Sequence, residues 1–377
     1  MAIDSRNFFR SHCAVWKILG LTHDQVTWKK LYISVTIVFH LLITIGYPLH
    51  LGMSVFRNGN LTDDIKSVTF IATYGACSLK FIIYAYNFDK LRRMKELLML
   101  LDLRVKRPLE MDIYNTLRSQ IRAILYMFTG LWVTCAMSAE LAFILQDGCE
   151  LMYPAWFPFD WRNSSRNFYL ANLYQIFGSC YQLMQNYVND CFPIIMLCII
   201  SAHIKMLYIR FEQIGVDESE DVVLESQLEA CITDHKRLLE LFQTMESFMS
   251  LPILIQIVVS ALNVCVSIAG VLFFVTEPMS RTYLVFYAIA MPIQIFPTCY
   301  YGTDNELWFG KLHYAVFSCN WIKQSRNFKK KLMLFVECSL KQKTAMAGGM
   351  VRIHVDTFFS TLKFAYSLFT IILRMRK

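Results

Sequence analysis

Seven long apolar stretches, separated by charged connections, limit what this chain can become more than any other feature. They run Leu31 to Phe56, Val68 to Tyr86, Ala123 to Leu145, Tyr169 to Met206, Leu251 to Val275, Tyr283 to Tyr301 and Val351 to Leu373. All but the fourth span 19 to 26 residues, the length an α-helix needs to cross roughly 30 Å of hydrocarbon at about 1.5 Å per residue. The strict polar–apolar alternation of a membrane β-barrel is absent. With 55% hydrophobic and 18% charged residues over 377 positions, the chain carries more apolar material than one soluble core hides. The expectation is an all-α, polytopic membrane protein with seven transmembrane helices and long helices extending into the cytosol. Its parts would be a cytosolic N-terminal segment (1–30), helices one to four with their outer loops (31–209), and a cytosolic amphipathic helix leading into helix five (210–250). Helices five and six (251–301), a basic cytosolic segment (302–350) and a last helix (351–377) would follow.

Charge sets the orientation. Lys and Arg number 25 in the N-terminus and the second, fourth and sixth connections, against 8 in the other connections and the C-terminus. The positive-inside bias therefore puts the N-terminus in the cytosol and the C-terminus outside. Two glycosylation sequons, at Asn60 and Asn163, fall in the first and third loops, both assigned to the outer side. The formal net charge of +8 sits in these connections and reads as topology, so no nucleic-acid partner is expected. The first thirty residues lack the uninterrupted apolar core of a cleaved signal peptide.

Several polar residues lie inside the apolar stretches. Lys80, four-fifths along the second, is expected to snorkel to the inner interface. Glu140, in the outer part of the third, would meet another helix or a ligand cavity. Gln175, Ser179, Gln182, Asn186 and Asn189 form a helical stripe on the fourth, close to Tyr174, Phe177, Tyr181 and Met184. That stripe suits a pocket for a small, mostly apolar molecule or an interhelical seam. The loop Gln146 to Asn167, rich in aromatics and proline, reads as an interfacial belt or as a lid. Asp356, Ser360, Lys363, Ser367, Thr370 and Arg374 share one face of the last helix over roughly 27 Å, as a wet path or a dry bundle seam would require.

Two amphipathic patterns are cytosolic. Arg210 to Ser250 carries ten acids and three bases, and Lys311 to Lys343 eight bases and one acid. Opposed charge and apolar stripes, the second marked by Phe328, Leu332 and Phe335, suggest that the two helices pack together, with attraction of the basic one to anionic membrane lipid as the competing account. Gly348 and Gly349 read as a hinge or helix break. No phosphate loop, zinc pair, nucleophile elbow or dinucleotide glycine pattern is present, so neither an enzyme nor a cofactor is expected. The lone His235 and the twelve cysteines lack metal-ligand spacing.

Across nearly its whole length the chain resembles the insect odorant receptor family. The resemblance rests on the seven inverted spans, Trp156-Phe157-Pro158-Phe159-Asp160, Ala315 to Trp321 (AVFSCNW), Ala347-Gly348 and the closing Tyr366 to Leu373. The compact fourth loop, without the long insertion of the family's shared co-receptor, points to a ligand-tuning subunit. The resemblance implies a tetrameric cation channel, built with the co-receptor, in the plasma membrane of sensory neurons. Its last helix would line the pore with Ser367, Thr370, Ile371, Arg374 and Met375, the constriction falling on Ile371 and Arg374 replacing a neutral amide. Cytosolic subunit contacts would involve Trp308, Trp321, Phe328, Leu332 and Phe335. Small volatile ligands would bind in the outer half of the bundle at Tyr74, Glu140, Tyr174, Phe177, Gly178 and Tyr181. A gustatory-type channel of the same superfamily is the nearest alternative, and a G-protein-coupled receptor, of opposite topology, a more distant one.

Overall fold

The computed structural model describes residues 3–22, 28–55, 61–144, 151–215, 221–275, 278–341 and 343–375. A 3-10 turn, Ser5–Phe9, leads into α1 (Arg10–Ile18). α2 (Lys29–Phe39) and α3 (Gly46–Val55) form one rod through a π turn at His40–Ile45. α4 (Leu61–Tyr86), α5 (Asp89–Asp102) and α6 (Pro108–Ile144) follow, then α7 (Ser165–Glu212) and α8 (Asp221–Ala269). The chain ends with α9 (Pro278–Ser318), α10 (Arg326–Ser339), a hairpin of β1 (Met346–Ala347) and β2 (Val351–Arg352), and α11 (Val355–Met375).

Among the described residues every expected apolar stretch lies in helix apart from Val275 at the end of the fifth and the first four residues of the last, where Val351 and Arg352 are strand. Among the described residues five helices are long and apolar enough to cross a membrane. They run 29–54, 67–86, 165–212, 223–274 and 281–318, while α6 and α11 carry the remaining two stretches. At 48, 49 and 41 residues, α7, α8 and α9 exceed the roughly 20 residues a bilayer takes, so each projects well beyond it. Leu31, Val38, Leu41 and Leu49 point outward from the α2–α3 rod, as lipid-facing side chains do.

α7 is the axis of the bundle. Every residue from Val188 to Ile204 is buried, because the sequence there is largely apolar, other elements cover each face, and polar exceptions such as Asn189 and Asp190 find partners on them. The N-terminal segment is one of those covers. Phe9 and Trp16 are buried against Phe192, at ring separations of 5.8 and 4.9 Å, and the Ser5 backbone N–H and hydroxyl both donate to Asp102 at 2.7 Å.

Lys80 does not snorkel. It is 1% exposed and pairs in the interior with Asp190, itself 7% exposed. The ammonium also donates to Gln256 Oε1 at 2.5 Å and Asn186 Oδ1 at 3.4 Å. Gln294 Nε2 donates to the other Asp190 oxygen, and Gln256 Nε2 to Gln294 Oε1 at 2.9 Å, which closes a ring across α4, α7, α8 and α9. An opposite charge with amides filling the remaining positions removes any need for the stem to reach water.

Beneath the bundle α10 packs on the acidic start of α8, as opposed charge and stripes suggest. Lys331 bridges Glu225 and Glu229, and Phe335 lies 4.9 Å from the His235 ring. The two glycines expected to form a hinge build a tight turn instead. Gly348 and Gly349 take φ of 60° and 68°, a left-handed pair that only glycine adopts at no steric cost. Ser250 Oγ donates to Met346 O at 2.6 Å and Gly348 N to Ser250 O at 3.0 Å, so α8 clamps this hairpin and fixes where α11 starts.

Breaking the buried ion pair on one side strands a charge, at a cost of about 3–5 kcal/mol. Lys80→Met or Asp190→Leu alone is expected to lower the melting temperature and monodisperse yield of the detergent-extracted protein. The double variant should recover part of both. Single variants as stable as the parent would mean that the pair does not hold the helices together.

Candidate ligand cavity and last helix

A cavity of about 70 Å³ lies among α4, α6, α7 and α9. α4 supplies Phe70, Thr73 and Tyr74, α6 supplies Trp132 and Ala136, and α9 supplies Tyr283 and Tyr287. From α7 come Ser179, Cys180, Leu183 and Asn186, which share one face at 3.6 residues per turn. Rings dominate the wall: Phe70 stacks on Tyr283 at 5.6 Å, Tyr283 on Tyr287 at 5.7 Å, and Phe70 lies 4.4 Å from Tyr153.

The loop after α6 closes the outer end with Met152 and Tyr153. Gln175 holds it there by a two-way amide clamp, its Oε1 accepting from Tyr153 N at 3.2 Å and its Nε2 donating to Tyr153 O at 2.9 Å. Trp156 N donates to His50 O at 3.0 Å, and Phe157 packs on the His50 ring at 5.4 Å. Of the two sequence readings of this loop, the contacts support the lid.

No charged side chain lines the cavity among the described residues. Its polar groups are hydroxyls, a thiol, the Trp132 indole N–H and the Asn186 amide, and the Lys80–Asp190 pair beyond Asn186 is internally neutralised. Such a wall favours a neutral, largely apolar guest, oriented by one or two hydrogen bonds. The volume is smaller than the roughly 150 Å³ that admits benzene, so a guest of that size would fit only after lining rings turn.

Only some of the expected ligand residues meet here. Tyr74 lines the cavity, and Glu140 has its side chain outside the described residues. Tyr174, Phe177, Gly178 and Tyr181 lie on the opposite side of α7, against the α2–α3 rod. Tyr174 OH donates to Leu42 O at 2.7 Å, Phe177 and Tyr181 pack on Phe39, and a Cβ at Gly178 would come within 2.3 Å of the Tyr47 ring. The polar stripe is divided between both roles once weighed for it. Ser179 and Asn186 reach the cavity, while Gln182 donates to Ile43 O and Ser78 and Asn189 donates to Cys77 O. Trp132, Tyr283 and Tyr287 carried no sequence signal, being single aromatics among many.

Tyr287 links the cavity to α11. Its hydroxyl pairs with Thr73 and accepts from Asn263 Nδ2 at 3.3 Å, and its ring belongs to a small core with Ala261, Val264, Met291 and Ala365 of α11. Thr361 and Ala365 are the buried face of that helix, and Phe369 stacks on Phe273 at 5.9 Å. On the other side Asp356, Ser360, Lys363, Ser367, Ile371 and Arg374 are exposed and Thr370 half-buried. The polar stripe is therefore not a seam within this chain. The Met375 side chain lies outside the described residues.

Three of the expected subunit-contact residues serve the chain's own core instead. Phe328, Leu332 and Phe335 are buried, with Phe335 4.5 Å from Phe211. Hydrophobic periodicity marks a buried face without saying which partner buries it. Trp308 meets Tyr208 edge to face at 5.5 Å, with the ammonium groups of Lys205 and Lys311 over its ring, and Trp321 is half-buried beside Phe317. The outward apolar side chains nearby are Tyr314, Phe317, Ile322, Met333 and Leu334. Asn163 is exposed, its amide donating to Asp160 at 2.6 Å, and Asn60 lies outside the described residues.

A sequence model of the family described as 7tm Odorant receptor matches residues 60–366. Odorant receptor 59a of Drosophila melanogaster is 56% identical, the alignment covering 100% of this chain and 99% of that protein. Odorant receptor 33b of the same organism is 30% identical over 99% and 98%. The structure of the insect olfactory receptor OR5 from Machilis hrabei superposes with a TM-score of 0.83 at 15% identity, covering 98% of each chain, and its complex with eugenol with 0.81 at 14%. The fold is thus that of a solved olfactory receptor, and the full-length sequence match makes this chain a multi-pass membrane protein of the insect odorant receptor family.

Proposed function

We propose that this odorant receptor binds a small, neutral, mostly apolar volatile in the cavity under the Met152–Tyr153 lid, and that binding opens a cation path along the polar face of α11. The observation that carries this is Tyr287, which lines the cavity and belongs to the same small core as Ala365 of α11. A guest that turns the Tyr287 ring moves the surface on which α11 rests. The exposed polar stripe of α11 speaks for a hydrated path, since an isolated Lys363 facing lipid is costly. At the outer end Ile371, 52% exposed, supplies an apolar ring that closes by dewetting when subunits assemble around it.

The wider setting is part of the same reading. The N-terminus lies in the cytosol and the C-terminus outside, in keeping with the charge bias and the exposed Asn163. Seven helices span the plasma membrane of a sensory neuron, and a co-receptor completes a heterotetramer. With Phe328, Leu332 and Phe335 used internally, the subunit contact falls to Tyr314, Phe317, Ile322 and Leu334, an outward apolar group on the cytosolic part.

The cavity is tested by recording from cells that express the receptor with its co-receptor. Tyr287→Phe should shift the half-maximal ligand concentration roughly fivefold, about 1 kcal/mol for a lost hydrogen bond. Trp132→Ala should alter ligand ranking towards bulkier molecules. Tyr174→Ala and Phe177→Ala, on the far side of α7, should lower surface expression without reordering ligands. The reverse pattern would move the site to the α2–α3 side.

Pore lining is tested with water-soluble thiol reagents. Cysteines at Ser367 and Ile371 should react in a ligand-dependent way and change the current, whereas one at Phe369, stacked on Phe273, should not. Equal reactivity at all three positions, or none in a conducting complex, would reject α11 as the lining.

A further inference from the structure

A second and larger hollow, about 440 Å³, lies at the far end of α7 from the ligand cavity, where the α5–α6 connection, Arg210 and the first turns of α8 meet. Arg104, Lys106, Arg107 and Arg210 all line it. Arg210 is 5% exposed, and its guanidinium is only partly satisfied. Nε donates to Glu110 at 2.5 Å and Nη1 to Asp234 at 2.9 Å, while Nη2 is buried without a hydrogen-bond partner. Burying a guanidinium nitrogen with no acceptor is unfavourable, because the group gives up its water without a replacement.

The charge balance is uneven as well. Asp234 is shared by Arg104, Arg210 and Arg237, so Glu110 and Asp234 are the two carboxylates facing five cations once Lys106 and Arg107 are included. Glu225 and Glu229 turn away to Lys331. Burial alone would raise the Glu110 carboxyl, but Arg210 and the backbone N–H groups of Lys106 and Arg107 hold it below the usual carboxylate range. Arg107 reaches only the neutral Gln213, and Lys106 is exposed at the mouth. Ser226 and Gln227 add neutral hydrogen-bonding groups to the α8 side of the wall.

We propose that this hollow is a binding site for a phosphate ester, with Arg104, Lys106 and Arg107 closing on the phosphate oxygens and Arg210 Nη2 donating to the innermost one. A forked guanidinium matches phosphate geometry, several cations in one concavity suit more than one phosphate, and the volume falls in the range of small-ligand sites. The site joins the connection before α6 to the junction of α7 and α8. Occupancy would brace that junction, which carries both the ligand helix and the scaffold of α11.

The test uses full-length receptor purified in detergent, where binding does not depend on the topology or the ligand site proposed above. Thermal unfolding is followed against inositol 1,4,5-trisphosphate and, in nanodiscs, against phosphatidylinositol 4,5-bisphosphate. A saturable rise in melting temperature that falls with added salt is expected. Lys106→Ala, which removes an exposed side chain and leaves the buried pairs intact, should weaken the apparent affinity about tenfold, and Lys106→Ala with Arg104→Gln should abolish it. A response to the free headgroup assigns a soluble ester, and one confined to the lipid assigns a membrane source. No shift with either, or an unchanged response in Lys106→Ala, would overturn the site.

Discussion

The buried Lys80–Asp190 pair is the constraint on which the rest of the bundle depends. Each charge alone inside the membrane-spanning region would be costly, and together with Gln256, Gln294 and Asn186 they satisfy one another. The requirement is geometric. α4, α7, α8 and α9 must keep the register that brings five polar groups to one point, and that register shapes the cavity above. Asn186 belongs to both, touching the ammonium and lining the cavity. A neutral amide at the floor with the charges behind it keeps the cavity suited to uncharged guests.

Transmission to α11 follows from what the helix rests on. The middle of its inner face is small, with Thr361 and Ala365 buried and Tyr287 of the cavity wall in the same core as Ala365, while Phe358 and Phe369 anchor the helix on Phe296 and Phe273 to either side. Small residues at that midpoint allow close approach of the helices. The Gly348–Gly349 turn and its hydrogen bonds to Ser250 tie the lower end of α11 to α8. In the proposed gating, motion started at Tyr287 passes to the part of α11 beyond that tie, where Ile371 lies.

Towards α10 the same helices change chemistry. The extensions of α7 and α8 exchange apolar surroundings for ion pairs to α10, the start of α6 and the α5–α6 connection, so α7 carries cavity-lining residues along one part and a wall of the cationic hollow at its end. Long uninterrupted helices make this economical in sequence. They also join both ends mechanically, since α7 is buried on every side between Val188 and Ile204.

By itself the sequence determined the helical class, the place of the apolar helices, the single polar face of α11 and the opposed charge that pairs the acidic start of α8 with basic α10. These depend on period, length and net charge, which are local properties. The tertiary structure alone decided which side of α7 faces the cavity: Tyr174, Phe177 and Tyr181 promised a pocket yet pack on the α2–α3 rod, and Ser179, Cys180 and Leu183 line it. It also found Asp190 for Lys80, gave Phe328, Leu332 and Phe335 to the chain's own core, and turned two glycines from hinge to fixed turn. The reason is common to all four. A helical pattern says that a face will be covered or a charge matched, but the partner stands on another helix many residues away, and only the packing of the whole bundle selects it.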